Sequence, residues 1–455
     1  DRALPSWRAR PVVLLGASYL FYAAWTPFFV GLIWVSTGID WFAARAMAAA
    51  DRPGRRRALQ AVSLVSNLGL LGFFKYGEFL AANAVTLGAL VGIQWAPPPF
   101  DIVLPVGISF YTFQTLSYTI DVYRGRLQPW PSFLDFALFV TFFPQLVAGP
   151  IVRAETFLPQ CVEPRRATGG QLGWGFTLLL IGLVEKTTLA DGLLAPVADR
   201  VYGAAQDAGF LDAWVGTLAF SGQIFFDFAG YSTCAIGVAL CLGYVLPDNF
   251  RYPYGAVGFS DFWRRWHISL SSWLRDYLYI PLGGNRGTPL RVQANLMWTM
   301  LLGGLWHGAS WRFVVWGGLH GAFLAAERRI RAWHGASGRP GPGLLTQLLL
   351  AGLTYYLVCV TWVFFRATDF ASAFRLVTVM HIGGPDRLAL GAGPVLTVAA
   401  LTAVLLATHW YMRERSLEEV WARLAWPLRA VALSVMSLIL LFTRGDERAF
   451  IYFQF

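Results

Sequence analysis

The chain has 455 residues, of which 56% are hydrophobic and only 14% charged, and it carries a net charge of +10. A soluble domain holds about a quarter charged residues, so this one lacks the polar side chains to cover a globule in water and must use lipid as part of its solvent. The charge does not indicate nucleic acid. The basic residues sit between apolar runs, at Arg52 with Arg55, Arg56 and Arg57, at Arg328, Arg329 and Arg331, and at Arg413 with Arg415, which is how membrane proteins set their topology and meet anionic lipid.

A membrane helix takes about 20 apolar residues, and the apolar runs number roughly ten to twelve, so the chain reads as an all-α polytopic membrane protein in a single domain. The first run starts at Pro11 and breaks at Thr26-Pro27. A second, to about residue 50, ends in the basic loop 51–57. Residues 58–93 are long enough for a bent span or a helical hairpin interrupted near Lys75 and Glu78, and Ala96-Pro97-Pro98-Pro99 marks a loop. Further runs cover residues 103–120, 133–149, 171–190, 208–228 and 229–246. Residues 259–280 mix Trp and Tyr with Asp261, Arg264, Arg265, Arg275 and Asp276, which suits an interfacial or cavity-lining helix read as continuous.

The runs 290–306 and 311–326 are short, about 24 Å each at 1.5 Å per residue, and predict a hairpin whose apex, Trp306 to Ser310, lies within the membrane. Residues 344–365, 391–410 and 427–442 are the last runs. Placing the loops 51–57, 327–343 and 412–425 in the cytoplasm is self-consistent and leaves the tail from Arg444 outside. The abrupt start at Asp1-Arg2, without Met or a signal-type region, points to a missing upstream segment. The four cysteines are scattered, and neither a disulfide framework nor a zinc site follows from them.

Two Trp-His pairs carry the chemical signal. A histidine in hydrocarbon is expensive unless it faces the interior or a wet cavity, and a free imidazole, with a pKa of about 6.5, is mostly neutral at pH 7 and can accept a proton. His307 lies among Gly303, Gly304 and Gly308 at a predicted helix break, where a substrate or another backbone can come close; it is the candidate base. On a helix His267 shares a face with Ser271 and roughly with Arg264, as Asp261 does with Arg265, so it is either substrate-positioning or part of a buried polar network. His320 reads as packing or a hydrogen bond within the bundle, His409 as interfacial, and His334 and His381 as loop residues.

Asp227 forms a polar stripe with Gln223 and Tyr231, Glu185-Lys186 is either an internal pair or interfacial, and Gln145 interrupts an apolar run. Phosphate loop, dinucleotide motif, nucleophile-elbow serine and His-Glu zinc helix are all missing from the sequence. A thioester donor needs none of these, only a base and a cavity that excludes water.

Phe142-Phe143-Pro144-Gln145-Leu146-Val147-Ala148-Gly149-Pro150-Ile151, Asp261-Phe262-Trp263-Arg264-Arg265-Trp266-His267-Ile268-Ser269-Leu270-Ser271, Arg275-Asp276-Tyr277-Leu278-Tyr279-Ile280-Pro281-Leu282-Gly283-Gly284-Asn285, Gly304-Leu305-Trp306-His307-Gly308-Ala309-Ser310-Trp311 and the final Phe450 to Phe455 together resemble the membrane-bound O-acyltransferase family. The likeness is to its bacterial polysaccharide branch, over nearly the whole chain except the family's first helix.

The resemblance implies a helical bundle with short re-entrant or interfacial helices around a central tunnel. It implies His307 as the essential histidine and His267 as its upstream companion. It also implies an acyl donor such as acetyl-CoA arriving from the cytoplasm and an acceptor on the outer side of a bacterial inner membrane, either an exported polysaccharide or an extracytoplasmic acyltransferase partner. Asp227, Arg264, Arg265, Trp266, Ser271, Trp306 and Gln145 are the expected substrate-binding or cavity-lining residues, with neither a metal nor a tightly bound cofactor. The rival readings are a secondary transporter or flippase using the histidines as a proton relay, and a scaffold subunit of an export complex.

Overall fold

The computed structural model describes residues 9–25, 27–97, 102–147, 149–163, 166–336, 341–385, 387, 390–443, 448 and 450. Asp1-Arg2, Thr26, Pro98-Pro99, Ala148, Arg444 and residues 451–455, on which expectations above rest, lie outside them. Among the described residues every regular element is helical. Five helices are long and apolar enough to cross a membrane, Pro27–Ala48, Pro53–Leu90, Phe210–Cys241, Leu344–Arg366 and Ala392–Met412, with shorter apolar helices at Ala9–Ala23, Phe370–Ile382 and Trp426–Phe442. Of the remaining apolar runs, 103–120 and 133–149 are built as short helices, 171–190 passes into a π-helix, and 290–306 and 311–326 lie in helices of 19 and 26 residues. Large apolar side chains such as Phe28, Leu90, Ile382, Trp426, Leu441 and Phe442 stand out from the protein, a surface that water would not tolerate and lipid solvates. The chain is a multi-pass membrane protein.

It divides into two compact units. The first, Asp1–Gly175 with Val238–Pro247, holds α1 (Ala9–Ala23), α2 (Val30–Ala48), α3 (Pro53–Leu90), α4 (Ile108–Tyr123), α5 (Phe133–Thr141), α6 (Phe143–Leu146) and α7 (Ala154–Val162). The expected interruption near Lys75 and Glu78 does not occur: α3 is one helix of 38 residues. Neither residue removes a backbone donor as proline would, and Lys75 extends its ammonium towards Ser109 Oγ at 3.5 Å instead. Buried polar side chains tie α2, α3 and α4 together, as small polar residues do in membranes. Asp40 accepts from Ser63 Oγ at 2.6 Å and from Asn67 Nδ2 at 2.8 Å, and Thr115 donates to Asn67 Oδ1 at 3.1 Å.

The second unit, Phe176–Gly237 with Asp248–Phe455, takes over within α8 (Gly169–Leu183). Val184–Leu194 then continues as a π-helix, whose i→i+5 bonding is rare outside functional or strained places. After it come α9 (Ala195–Gly203), α10 (Phe210–Cys241), α11 (Phe259–Arg265), α12 (Ile268–Leu274), α13 (Pro289–His307), α14 (Trp311–Ala336), α15 (Leu344–Arg366), α16 (Phe370–Ile382), α17 (Ala392–Met412), α18 (Leu417–Arg423) and α19 (Trp426–Phe442). The predicted hairpin is α13–α14. Thr288 caps its start, accepting from Arg291 N at 3.3 Å, with Pro289 at the first helical position.

The two arms of the hairpin touch through glycine. A Cβ on Gly304 would lie 2.2 Å from the Phe313 carbonyl oxygen, and one on Gly317 would lie 2.1 Å from that of Met300. Such contact of small residues replaces the hydrophobic drive that is lost between helices in lipid.

Candidate active site

The segment expected as one helix over residues 259–280 is broken at its centre. Trp266 is extended and His267 takes the left-handed conformation, φ +43° and ψ +56°, so α11 ends and α12 begins at the histidine. The supposed shared face of His267, Ser271 and Arg264 therefore does not exist. His267 instead opens α12, its carbonyl accepting from Ser271 N at 2.9 Å. Asn249, in the loop after α10, holds this turn: its carbonyl accepts from Ile268 N at 2.9 Å and its Oδ1 from Ser269 N at 3.3 Å and Ser269 Oγ at 2.8 Å.

The break turns the imidazole into the protein. His267 is fully buried, with its ring centroid 4.6 Å from Phe228 and 5.8 Å from Trp306. Burial disfavours its charged form and pushes its pKa down to about 3.

His307 is the last residue of α13, and it is also buried. Its ring lies 5.0 Å from Trp316, 5.1 Å from Trp306 and 5.5 Å from Phe365, centroid to centroid. The ring of His267 is 6.4 Å away, tilted by 55°. Two imidazoles at that separation can reach neighbouring atoms of one bound group, the arrangement general acid–base chemistry needs. The neighbouring glycines serve the hairpin. Gly304 admits the α14 backbone, and Gly308 admits the Phe313 ring, a carbon of which would lie 2.2 Å from an added Cβ.

Because the chain turns back at residues 308–310, His320 reaches the far side of Trp316, at 4.6 Å, where its Nε2 pairs with Thr361 Oγ1 at 3.0 Å. His409 is buried at the end of α17, where its Nδ1 accepts from Tyr254 N at 3.1 Å. His381 and His334 lie within α16 and α14, not in loops.

A cavity of about 560 Å³ opens on the other side of the α11–α12 break, lined by Arg251, Arg264, Arg265, Arg275 and Arg413 with Asp261 and Glu414, and by Trp263, Ser260, Ile268, Ser271 and Ser272. Its arginines differ in freedom. Arg265 is spent on structure, donating to Asp261 Oδ1 at 3.0 Å, Glu414 Oε1 at 3.0 Å and the Arg413 carbonyl at 2.6 Å. Arg264, Arg251 and Arg275 leave 67%, 66% and 63% of their side chains open; Arg275 already gives two donors to Asp276 and Arg251 pairs with Asp248, and the N–H groups that remain can be offered to a phosphate or carboxylate.

The other expected site residues divide. Ser271 lines the cavity and Trp306 packs beside both histidines, at 5.8 Å from His267 and 5.1 Å from His307. Trp266 does not line the cavity: the extended backbone at this residue turns it inward, where it is fully buried and stacks on Phe262 at 5.7 Å and packs on Trp362 at 5.2 Å. Asp227 is bound to Lys186, which also pairs with Asp191 at 2.9 Å and lies 5.5 Å from the centroid of the Tyr231 ring. The pairing foreseen for Lys186 is thus internal but not with Glu185. The π-helix sets it, since under i→i+5 bonding residues five apart share a face.

Gln145 belongs to the first unit, where it is buried and donates to the Phe139 carbonyl at 2.6 Å. The chain packs closely on itself there: a Cβ on Gly149 would fall 2.4 Å from the Gln145 Cα. Asn249, Arg251, Trp316, Phe365, Arg413 and Glu414 were missed. Only Arg413 carried a signal, as one of a basic loop, and nothing in local spacing says which loops meet.

The profile of the membrane-bound O-acyltransferase family matches residues 129–339. A probable alginate O-acetylase of Azotobacter vinelandii is 42% identical over 405 residues, covering 88% of this chain and 77% of that protein. A peptidoglycan O-acetyltransferase of Helicobacter pylori is 36% identical over 81% of this chain and 73% of its own length, and a teichoic acid D-alanyltransferase of Bacillus subtilis is 25% identical over 60% and 71%. Such similarity over most of both chains is that of an enzyme, and the transporter and scaffold readings fall away. The chain belongs to the membrane-bound O-acyltransferase family and is an O-acyltransferase.

Proposed function

We propose that the protein moves an acetyl group from a cytoplasmic thioester, acetyl-CoA in the simplest case, to a hydroxyl of an exported polysaccharide or cell-envelope glycan, or to an extracytoplasmic partner that completes the transfer, in a bacterial inner membrane. The observation that carries the reading is the pair of buried histidines 6.4 Å apart behind a wall of aromatic rings. His307 takes the hydroxyl proton as the oxygen attacks the thioester carbonyl; the new C–O bond forms, the C–S bond breaks, and the His307 imidazolium gives its proton to the leaving thiolate. His267, neutral and rigidly seated, orients the reacting groups. The aromatic surround keeps hydrolytic water away.

The arginine cavity fits the donor's phosphates, with Arg264 and Arg275 among the open contacts. The loops at residues 327–343 and 412–425, read as cytoplasmic, put Arg413 and Glu414 on the donor's side. Alginate-like and peptidoglycan-like acceptors are the candidates that the relatives' names supply. The test is acetyl transfer from labelled acetyl-CoA by the purified protein in nanodiscs, with wild type and His307→Ala compared. A positioned base contributes ~10²–10⁴-fold, so His307→Ala is expected to lose about that factor with its expression and thermal stability little changed. Wild-type turnover by folded His307→Ala sinks the mechanism.

A further inference from the structure

We infer that Asn249 is a positioning residue for this reaction, fixing His267 in its left-handed turn and thereby holding the imidazole against His307. The inference rests on the reading of the histidine pair as the reacting centre. A non-glycine residue at φ +43° is uncommon, and such conformations persist only where the surroundings over-determine them. Relaxation into the ordinary helical region would join α11 and α12 into one helix and swing the ring of His267 off its present line.

The surroundings that prevent this converge on one residue, through its main chain and its side-chain amide. Asn249 is buried, and through its carbonyl and Oδ1 it accepts hydrogen bonds from both residues that follow His267. Its Nδ2 donates to Ser232 Oγ at 3.0 Å. Ser232 sits one turn after Phe228 on α10, and Phe228 is the ring against which His267 packs at 4.6 Å. The amide therefore ties the turn to the same helix that supplies the wall of the imidazole. On the other side of the break, Arg251 N donates to the Arg265 carbonyl at 2.9 Å, so the segment carrying Asn249 clamps both flanks of Trp266-His267. An alanine there leaves the buried Ser269 N–H and hydroxyl without this acceptor and the turn untied from Ser232, held by its main-chain bonds alone.

The experiment measures acetyl transfer by the full chain in nanodiscs for Asn249→Ala, Asn249→Asp, Ser232→Ala and the same changes in a His267→Gln background, with His307→Ala alongside. Displacement of a reacting group by ~1 Å costs about 10²-fold, so Asn249→Ala should lower kcat by about that factor. Asn249→Asp keeps the acceptor for Ser269 and can accept from the Ser232 hydroxyl, and it should recover most of the loss. In the His267→Gln background Asn249→Ala should cost at most about twofold more, because a residue that works through His267 has nothing left to position.

Wild-type kcat in folded Asn249→Ala, an undiminished loss in the His267→Gln background, or an Asn249→Asp no better than Asn249→Ala would each overturn the inference. If Asn249→Ala does not fold, Ser232→Ala runs through the same cycle and should show a several-fold loss that vanishes without His267; a loss that persists overturns the inference as well. Should His267→Gln be too slow to read, rescue by Asp decides alone. An active His307→Ala brings down the underlying reading and this inference with it, whereas an inactive one with additive Asn249 losses brings down this inference alone.

Discussion

Gly304→Ala tests whether the hairpin, and not only the histidine itself, makes the site. The methyl group would sit 2.2 Å from the Phe313 carbonyl oxygen and within 3.1 Å of Gly317 Cα and N. That is about 1 Å short of ordinary contact, and both neighbours are backbone, so α13 and α14 must separate at this level and no side chain can rotate away. Overpacking of this kind costs about 1–3 kcal/mol.

His307 lies three residues further along α13, nearly one turn, and moves with it. A misplacement of ~1 Å at a reacting group is enough to lose about 10²-fold in rate. We therefore expect Gly304→Ala to lower acetyl transfer by about that factor with both histidines intact and with a lower melting temperature. Gly352→Ala, in α15 where an added Cβ meets nothing within 4 Å, should melt no lower and turn over normally. Initial rates and thermal melts of the three proteins in one detergent decide the matter. A folded Gly304→Ala with wild-type turnover would refute the claim that helix contact sets the position of His307.

His267→Gln should keep partial activity, since an amide can replace one hydrogen bond of the imidazole but is no base near pH 7. Burial leaves His267 neutral until the pH falls to about 3, so any limb of the rate profile between about pH 5 and 8 should survive this substitution; loss of that limb would reassign it to His267. Arg264→Ala and Arg275→Ala should each raise the donor KM several-fold with kcat nearly unchanged, whereas Arg265→Ala, which breaks three structural contacts, should lower stability instead; equal KM values in the first two would remove the cavity from donor binding. A cysteine at Arg55 should be labelled only from the cytoplasm and one at Thr368 only from outside, and the opposite pattern at either would overturn the orientation.

The sequence determined the solvent and the architecture. With so few charges the chain had to live in lipid, and in lipid helices satisfy their own backbone, so an all-α multi-pass protein followed from composition and run lengths. The break at His307 was also legible, because glycines beside a histidine between two short apolar runs are a local signal. Local periodicity failed where the backbone left its period: at His267 the left-handed turn divides what reads as one helix, and at Lys186 the π-helix redirects an ion pair to Asp191 and Asp227.

Tertiary structure alone decided the rest. His267 and His307 are forty residues apart, Arg413 comes to Arg265 from a different helix end, and Asn249 reaches the histidine turn from a loop with no motif of its own. A helical pattern specifies which residues share a face over three or four positions; which faces and loops then meet is settled by close backbone contact between glycines, by buried donors that must find acceptors, and by aromatic rings that fill the space between.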